Sequence, residues 1–198
     1  MTTKEELELL LQIMQKHDLP MSPILEYAIN EKLQDNTNTK SVVTIDINSS
    51  KPNFSYAEMF KNLSTGIHNG KKLPHKAVLL LSILELVGNG TLNENKIDLN
   101  KTIASSFTTT WDSFRLGPKV PSVWIPFWYM KSEPFWHFKA LTDESLLRNL
   151  LNFAGHPTIG QMRNVIKCAF VDEQLFELMQ DKKERSVLVN TLIETYLR

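Results

Sequence analysis

The chain has 198 residues, 42% hydrophobic and 22% charged, with 22 basic residues balancing 22 acidic ones. That length builds one substantial core, or one core and a small appended unit, and the composition is that of a globular protein and not of a disordered one. The single Cys168 excludes an internal disulfide framework and a thiolate zinc cluster supplied by this chain alone, and no apolar run approaches the length of a membrane span.

The N-terminal Met-Thr-Thr-Lys-Glu-Glu lacks an apolar secretory core, so a cytoplasmic location is expected. In residues 4–16, Leu7, Leu10, Leu11 and Met14 recur at helical spacing. Asp18-Leu19-Pro20-Met21-Ser22-Pro23 breaks that helix before a second at about residues 23–34, which carries Ile24, Tyr27, Ala28 and Ile29. A helical hairpin follows from this, and residues 4–34 offer an amphipathic surface for a homodimer or for packing on the rest of the chain. Gln34 to Asn53 is rich in Asn, Thr, Ser and Lys around the alternating Val42-Val43-Thr44-Ile45-Asp46-Ile47, a linker with a short edge strand. The domain boundary is expected near residue 50, separating residues 1–50 from a second unit over residues 51–198.

That unit opens with Tyr56, Met59, Phe60 and Leu63 on one helical face, then a loop through Gly66 and Gly70. The run from Pro74 to Val87 is apolar on nearly every side, so it is a buried helix whose first residues, His75 and Lys76, sit at the edge of the core. Gly88-Asn89-Gly90 stops it, Ile97-Asp98-Leu99 reads as a short strand, and Ile103, Phe107, Trp111 and Phe114 recur on a helix capped near Asn100. Trp124 to Phe138 holds three tryptophans punctuated by Pro126 and Pro134, and reads as two strands around the turn at residues 131–134. Further helices are expected at residues 142–153, from Asp172-Glu173 onward, and over residues 185–197. The expected fold is α+β, mainly α: a winged-helix-like unit with a small antiparallel β-hairpin, preceded by the helical hairpin.

A net charge of zero is atypical of proteins that neutralise phosphates, but the charges are segregated. From Lys61 to Leu84 there are four lysines, two histidines and no acidic residue, and between Phe114 and Lys139 the basic Arg115, Lys119, Lys131 and Lys139 outnumber the lone Glu133. A neutral total can therefore conceal a basic face. Trp124, Phe127, Trp128, Tyr129, Phe135, Trp136 and Phe138 supply more ring surface than one hairpin covers, so some of it packs on the buried helix or meets a ligand. His137 alternates with the rings and is expected to face away from them.

Across residues 54–198, several short motifs occur in a recognisable order. They are Tyr56, Phe60 and Leu63; Lys72-Leu73-Pro74-His75-Lys76 running into Leu79-Leu80-Leu81; Pro126-Phe127-Trp128-Tyr129-Met130; Phe135-Trp136-His137-Phe138; and Arg185 with Leu192-Ile193-Glu194-Thr195-Tyr196. In this order the chain resembles the N-terminal DNA-recognition domain of HNH-type restriction endonucleases, which includes sulfur-binding domains that recognise phosphorothioate DNA. The resemblance implies that His75 and Lys76 face DNA and that Pro126 helps form an apolar cup for the sulfur. Sulfur is large, polarizable and poorly hydrated, so it prefers a proline ring to amide donors while nearby cations satisfy the phosphate charge.

The expected DNA-binding set is Lys71, Lys72, His75, Lys76, Arg115, Lys119, Pro126, Phe127 and Tyr129. The cations hold the backbone, His75 donates to a phosphate or base edge, and Pro126, Phe127 and Tyr129 form the selective wall. Catalysis within the chain is not expected. His17, His68, His75, His137 and His156 are scattered without the compact HNH pattern, and Glu94-Asn95-Lys96 matches a metal-nuclease signature only in a polar, Gly-flanked setting. The resulting expectation is a recognition module for double-stranded DNA, modified DNA included, without cofactor or metal, whose nuclease domain lies elsewhere, in cis or in trans. Two other readings stay open at this level: a winged-helix transcription regulator, and a protein-interaction adaptor using the aromatic patch.

Overall fold

The structure, a computed structural model, describes residues 56–68 and 70–198. The expected helical hairpin of residues 1–50, the alternating run at residues 42–47 and the dimer surface at residues 4–34 lie outside the described residues.

Helix α1 (Tyr56–Lys61) buries Phe60 and leads through Leu63 to a loop and a minimal antiparallel hairpin, β1 (Ile67–His68) and β2 (Lys71–Lys72). Gly70 has φ +75°, which a residue with a Cβ rarely adopts, so glycine permits the reversal. Helix α2 (His75–Gly88) follows, and every residue from Lys76 to Leu84 is buried. A helix apolar all round must be surrounded, and among the described residues α2 packs against α3 (Lys101–Ser113), α4 (Trp124–Tyr129), α7 (Glu173–Gln180) and α8 (Lys182–Tyr196). One polar group inside this bundle is satisfied locally, with Ser82 Oγ 2.7 Å from the Val78 carbonyl it donates to and 3.2 Å from Thr110 Oγ1.

Asn100 caps α3 as expected, its side chain accepting from the Ile103 amide at 3.1 Å. The strand expected at Ile97–Leu99 shrinks to one bridge, Ile97 to Ala169, with N–H to carbonyl distances of 2.8 and 2.9 Å. It borders a sheet in which β3 (Trp136–Ala140) runs antiparallel to β4 (Ile166–Val171), Trp136 opposite Val171. At the far end of β4, Asn95 stands in for a missing strand neighbour. Its Nδ2 donates to the Val171 carbonyl at 2.7 Å and its Oδ1 accepts from the Val171 amide at 3.0 Å. Between β3 and β4 lie α5 (Glu144–Leu151), capped by Asp143, and α6 (Ile159–Val165), whose Thr158 and Gln161 form a capping box.

The hairpin expected over Trp124–Phe138 is not formed. Its first half is α4, continued by a 3-10 turn over Met130–Ser132, and only Trp136 onward is a strand, paired with β4 and not with its neighbour in sequence. The order of helix, strand, helix and hairpin read from the sequence is corrected accordingly. Pro126 is compatible with either structure. In the first turn of a helix its missing N–H would have found no intrahelical acceptor, and its fixed φ is already helical. Burial decides: as a helix, the segment seats Phe127 and Trp128 in the core against α2 while exposing Tyr129. The described chain is thus a mainly α, α+β fold with two small antiparallel sheets, and none of its helices is long and apolar enough to cross a membrane.

Candidate nucleic-acid interface

The start of α2 and the start of α4 face each other across a cavity of about 510 Å³. Ser64, Thr65, Gly66, Leu73, His75 and Lys76 make one wall, and Pro121, Ile125, Pro126, Tyr129 and Ser132 the other. The cationic helix start and the aromatic segment are therefore neighbours, although the latter arrives there as a helix.

One buried carboxylate holds the walls in register. Glu133 Oε1 accepts from Lys76 Nζ on α2 at 2.5 Å, from the Ser64 amide at 3.1 Å and from Ser132 Oγ at 3.2 Å. Lys76 Nζ also donates to Ser132 Oγ at 2.7 Å. Lys76 and Glu133 are each 5% exposed. This corrects the expected role of Lys76: its charge is committed to Glu133, so it ties the cavity together and does not stand ready as a phosphate clamp.

His75, the first residue of α2, is half-buried and lies nearly parallel to the Trp111 indole, with ring centroids 5.4 Å apart and an interplanar angle of 16°. Burial pushes its pKa below the ordinary histidine value, so the imidazole is neutral at pH 7 and has one donor and one acceptor nitrogen. Thr65 contributes a buried Oγ1 without a hydrogen-bond partner among the described residues. Tyr129, 39% exposed, sits on the opposite wall.

The other expected residues are dispersed. Phe127 is 1% exposed and packs edge-on against Trp136, with centroids 5.5 Å apart, so it belongs to the core and not to the selective wall. Arg115 and Lys119 are exposed on the connection between α3 and α4 and do not line the cavity, although Pro121 of the same connection does. Lys71 is exposed on β2, in a hairpin that springs from the wall residues Gly66 and Leu73. Lys72 is turned back on the fold, donating to the Lys61 carbonyl at 2.8 Å and lying 5.1 Å over the Tyr196 ring. His137 leaves the ring face, as alternation predicts, and its Nε2 is 2.7 Å from Asp172 Oδ1. Tyr56 donates to the other oxygen of Asp172 at 3.1 Å. Burial, then that contact, pushes the Tyr56 hydroxyl up to about 12.

Sequence reasoning missed Thr65, Ile125, Glu133 and His156 as parts of this region. Trp128 Nε1 donates to the Gly155 carbonyl at 3.1 Å, and Lys131 donates to the Leu151 carbonyl at 2.7 Å while lying 4.2 Å over the Trp128 ring. These contacts fix the loop that brings His156 to 5.4 Å from Trp124 and 6.3 Å from Tyr129. Among the described residues, no group of His, Cys, Asp and Glu is placed to hold a metal ion. No protein-family model and no curated protein matches the chain.

Proposed function

We propose that residues 56–198 form a DNA-recognition module of a restriction or defence system, acting in the cytoplasm with a nuclease domain supplied elsewhere. Duplex DNA lies across the mouth of the cavity, and the apolar interior discriminates modified from plain DNA. The observation that carries this reading is the convergence of His75, Pro126 and Tyr129 on one cavity, beside the hairpin that presents Lys71. Concave, largely apolar sites with a few convergent polar groups are the usual form of ligand sites, and their apolar area gives selectivity while exposed cations give attraction.

The division of labour differs from that implied by the resemblance. Attraction falls to Lys71, Arg115 and Lys119, which are exposed, and selectivity to Pro126, Ile125 and Tyr129. The test is a titration of the full chain with matched duplexes, phosphorothioate, methylated and unmodified, at two salt concentrations. Binding that weakens steeply with salt and favours one modified duplex is expected. Absence of binding at low salt, or affinity independent of salt, overturns the DNA reading; equal affinity for all three duplexes overturns the modification reading.

A further inference from the structure

The size and charge of the cavity set limits on what goes into it. A sulfur atom is close in size to a water molecule, which occupies about 30 Å³ in the liquid, a small part of the roughly 510 Å³ present. Nor is the interior prepared for an anion. Its one lysine is already neutralised by Glu133 at 2.5 Å, so a phosphate carried inside would be a buried charge with no counter-ion. A neutral, flat guest with both donors and acceptors meets a different reception. His75, half-buried and stacked on Trp111, offers a ring edge with one donor and one acceptor nitrogen. Phosphate oxygens only accept hydrogen bonds, whereas base edges carry donors and acceptors together.

We infer that the cavity receives a whole nucleobase swung out of the duplex, hydrogen-bonded by His75 and walled by Ile125, Pro126 and Tyr129. This rests on the DNA-binding reading above and says what part of the DNA that site takes. The charged backbone stays at the mouth, in reach of the exposed Lys71. Tyr129, partly exposed, is placed to stack on the extruded base or its neighbour.

The experiment uses the full chain and end-labelled duplexes carrying one 2-aminopurine, either paired with thymine or opposite an abasic site. Anisotropy reads binding, and 2-aminopurine emission reads departure from the stack. The unpaired duplex should bind about tenfold tighter, because the cost of unpairing is already met, and emission from the paired probe should rise with the bound fraction. His75→Phe, which keeps a ring on Trp111 but has no ring nitrogen, should lose most of that preference. Ile125→Trp, which sets an indole into the space the base would take, should diminish the emission rise. Binding with equal affinity for both duplexes and flat emission overturns the inference and leaves DNA binding standing. An emission rise undiminished in Ile125→Trp, or a preference untouched in His75→Phe, overturns the assigned pocket. No anisotropy change with any duplex at low salt overturns both readings.

Discussion

Lys76 Nζ lies 2.5 Å from Glu133 Oε1, and both side chains are almost wholly withdrawn from water. The pair joins the first turn of α2 to the turn before β3, across 57 positions of sequence, and through Ser64 it also fixes the loop that shares the α2 wall of the cavity. It converts the most conspicuous cation of the helix start into a structural tie.

Removing one partner of that tie leaves the other charge buried and alone. Glu133→Gln should therefore destabilise the fold by about 3 kcal/mol or more, measured by urea unfolding, and Lys76→Met in the same chain should recover a good part of the loss. A Glu133→Gln loss under about 1 kcal/mol contradicts the buried pair.

His75 makes stability depend on pH in a stated direction. Burial lowers its folded-state pKa below the unfolded value of about 6.5, so the unfolded chain binds the proton more tightly. Its contribution is intact above that value and falls as pH drops through it toward the folded value. His75→Phe keeps a ring against Trp111 but does not titrate. Wild type should lose stability relative to this variant between about pH 7 and about pH 5, read from urea midpoints. A constant difference across that window contradicts the assignment.

Lys71 and Lys76 should separate cleanly. Lys71→Ala, at an exposed site, should leave stability within about 0.5 kcal/mol and lower the slope of log affinity against log salt by about 0.9. Lys76→Ala should do the reverse, costing stability while leaving the salt slope of the folded fraction nearly unchanged. If Lys76→Ala alone flattened the slope, the cation would be at the DNA and not on Glu133.

Pro126 borders the cavity from the first turn of α4, where alanine is also at home. Pro126→Ala should narrow the difference between modified and plain duplexes several-fold while altering plain-duplex affinity little. Equal losses for both would show that the ring supports α4 and takes no part in selection.

Much of the fold was legible because the signals were local. The all-round apolarity of Ala77–Leu84 fixed α2 as the central helix, and Asn100, with Ile103, Phe107 and Trp111 behind it, fixed α3 and its cap. What failed was segment type where two structures share one pattern. Proline in Trp124–Tyr129 suits a strand edge or a first helical turn, and only packing against α2 selects the helix. β4 was hidden because α6 ends at Val165 and the strand begins at Ile166, with no Gly or Pro between them. At the site, His75, Pro126 and Tyr129 could be chosen from sequence as chemistry-bearing residues near one another. The partner of Lys76 could not, since an acidic residue 57 positions away carries no local mark.

Amide hydrogen exchange with and without a short duplex tests most directly whether this cavity is where DNA binds. Slowed exchange is expected at residues 64–76 and 115–132, with β4 and α7 unchanged. Protection centred on β4 or α7 with the cavity walls unaffected would contradict it.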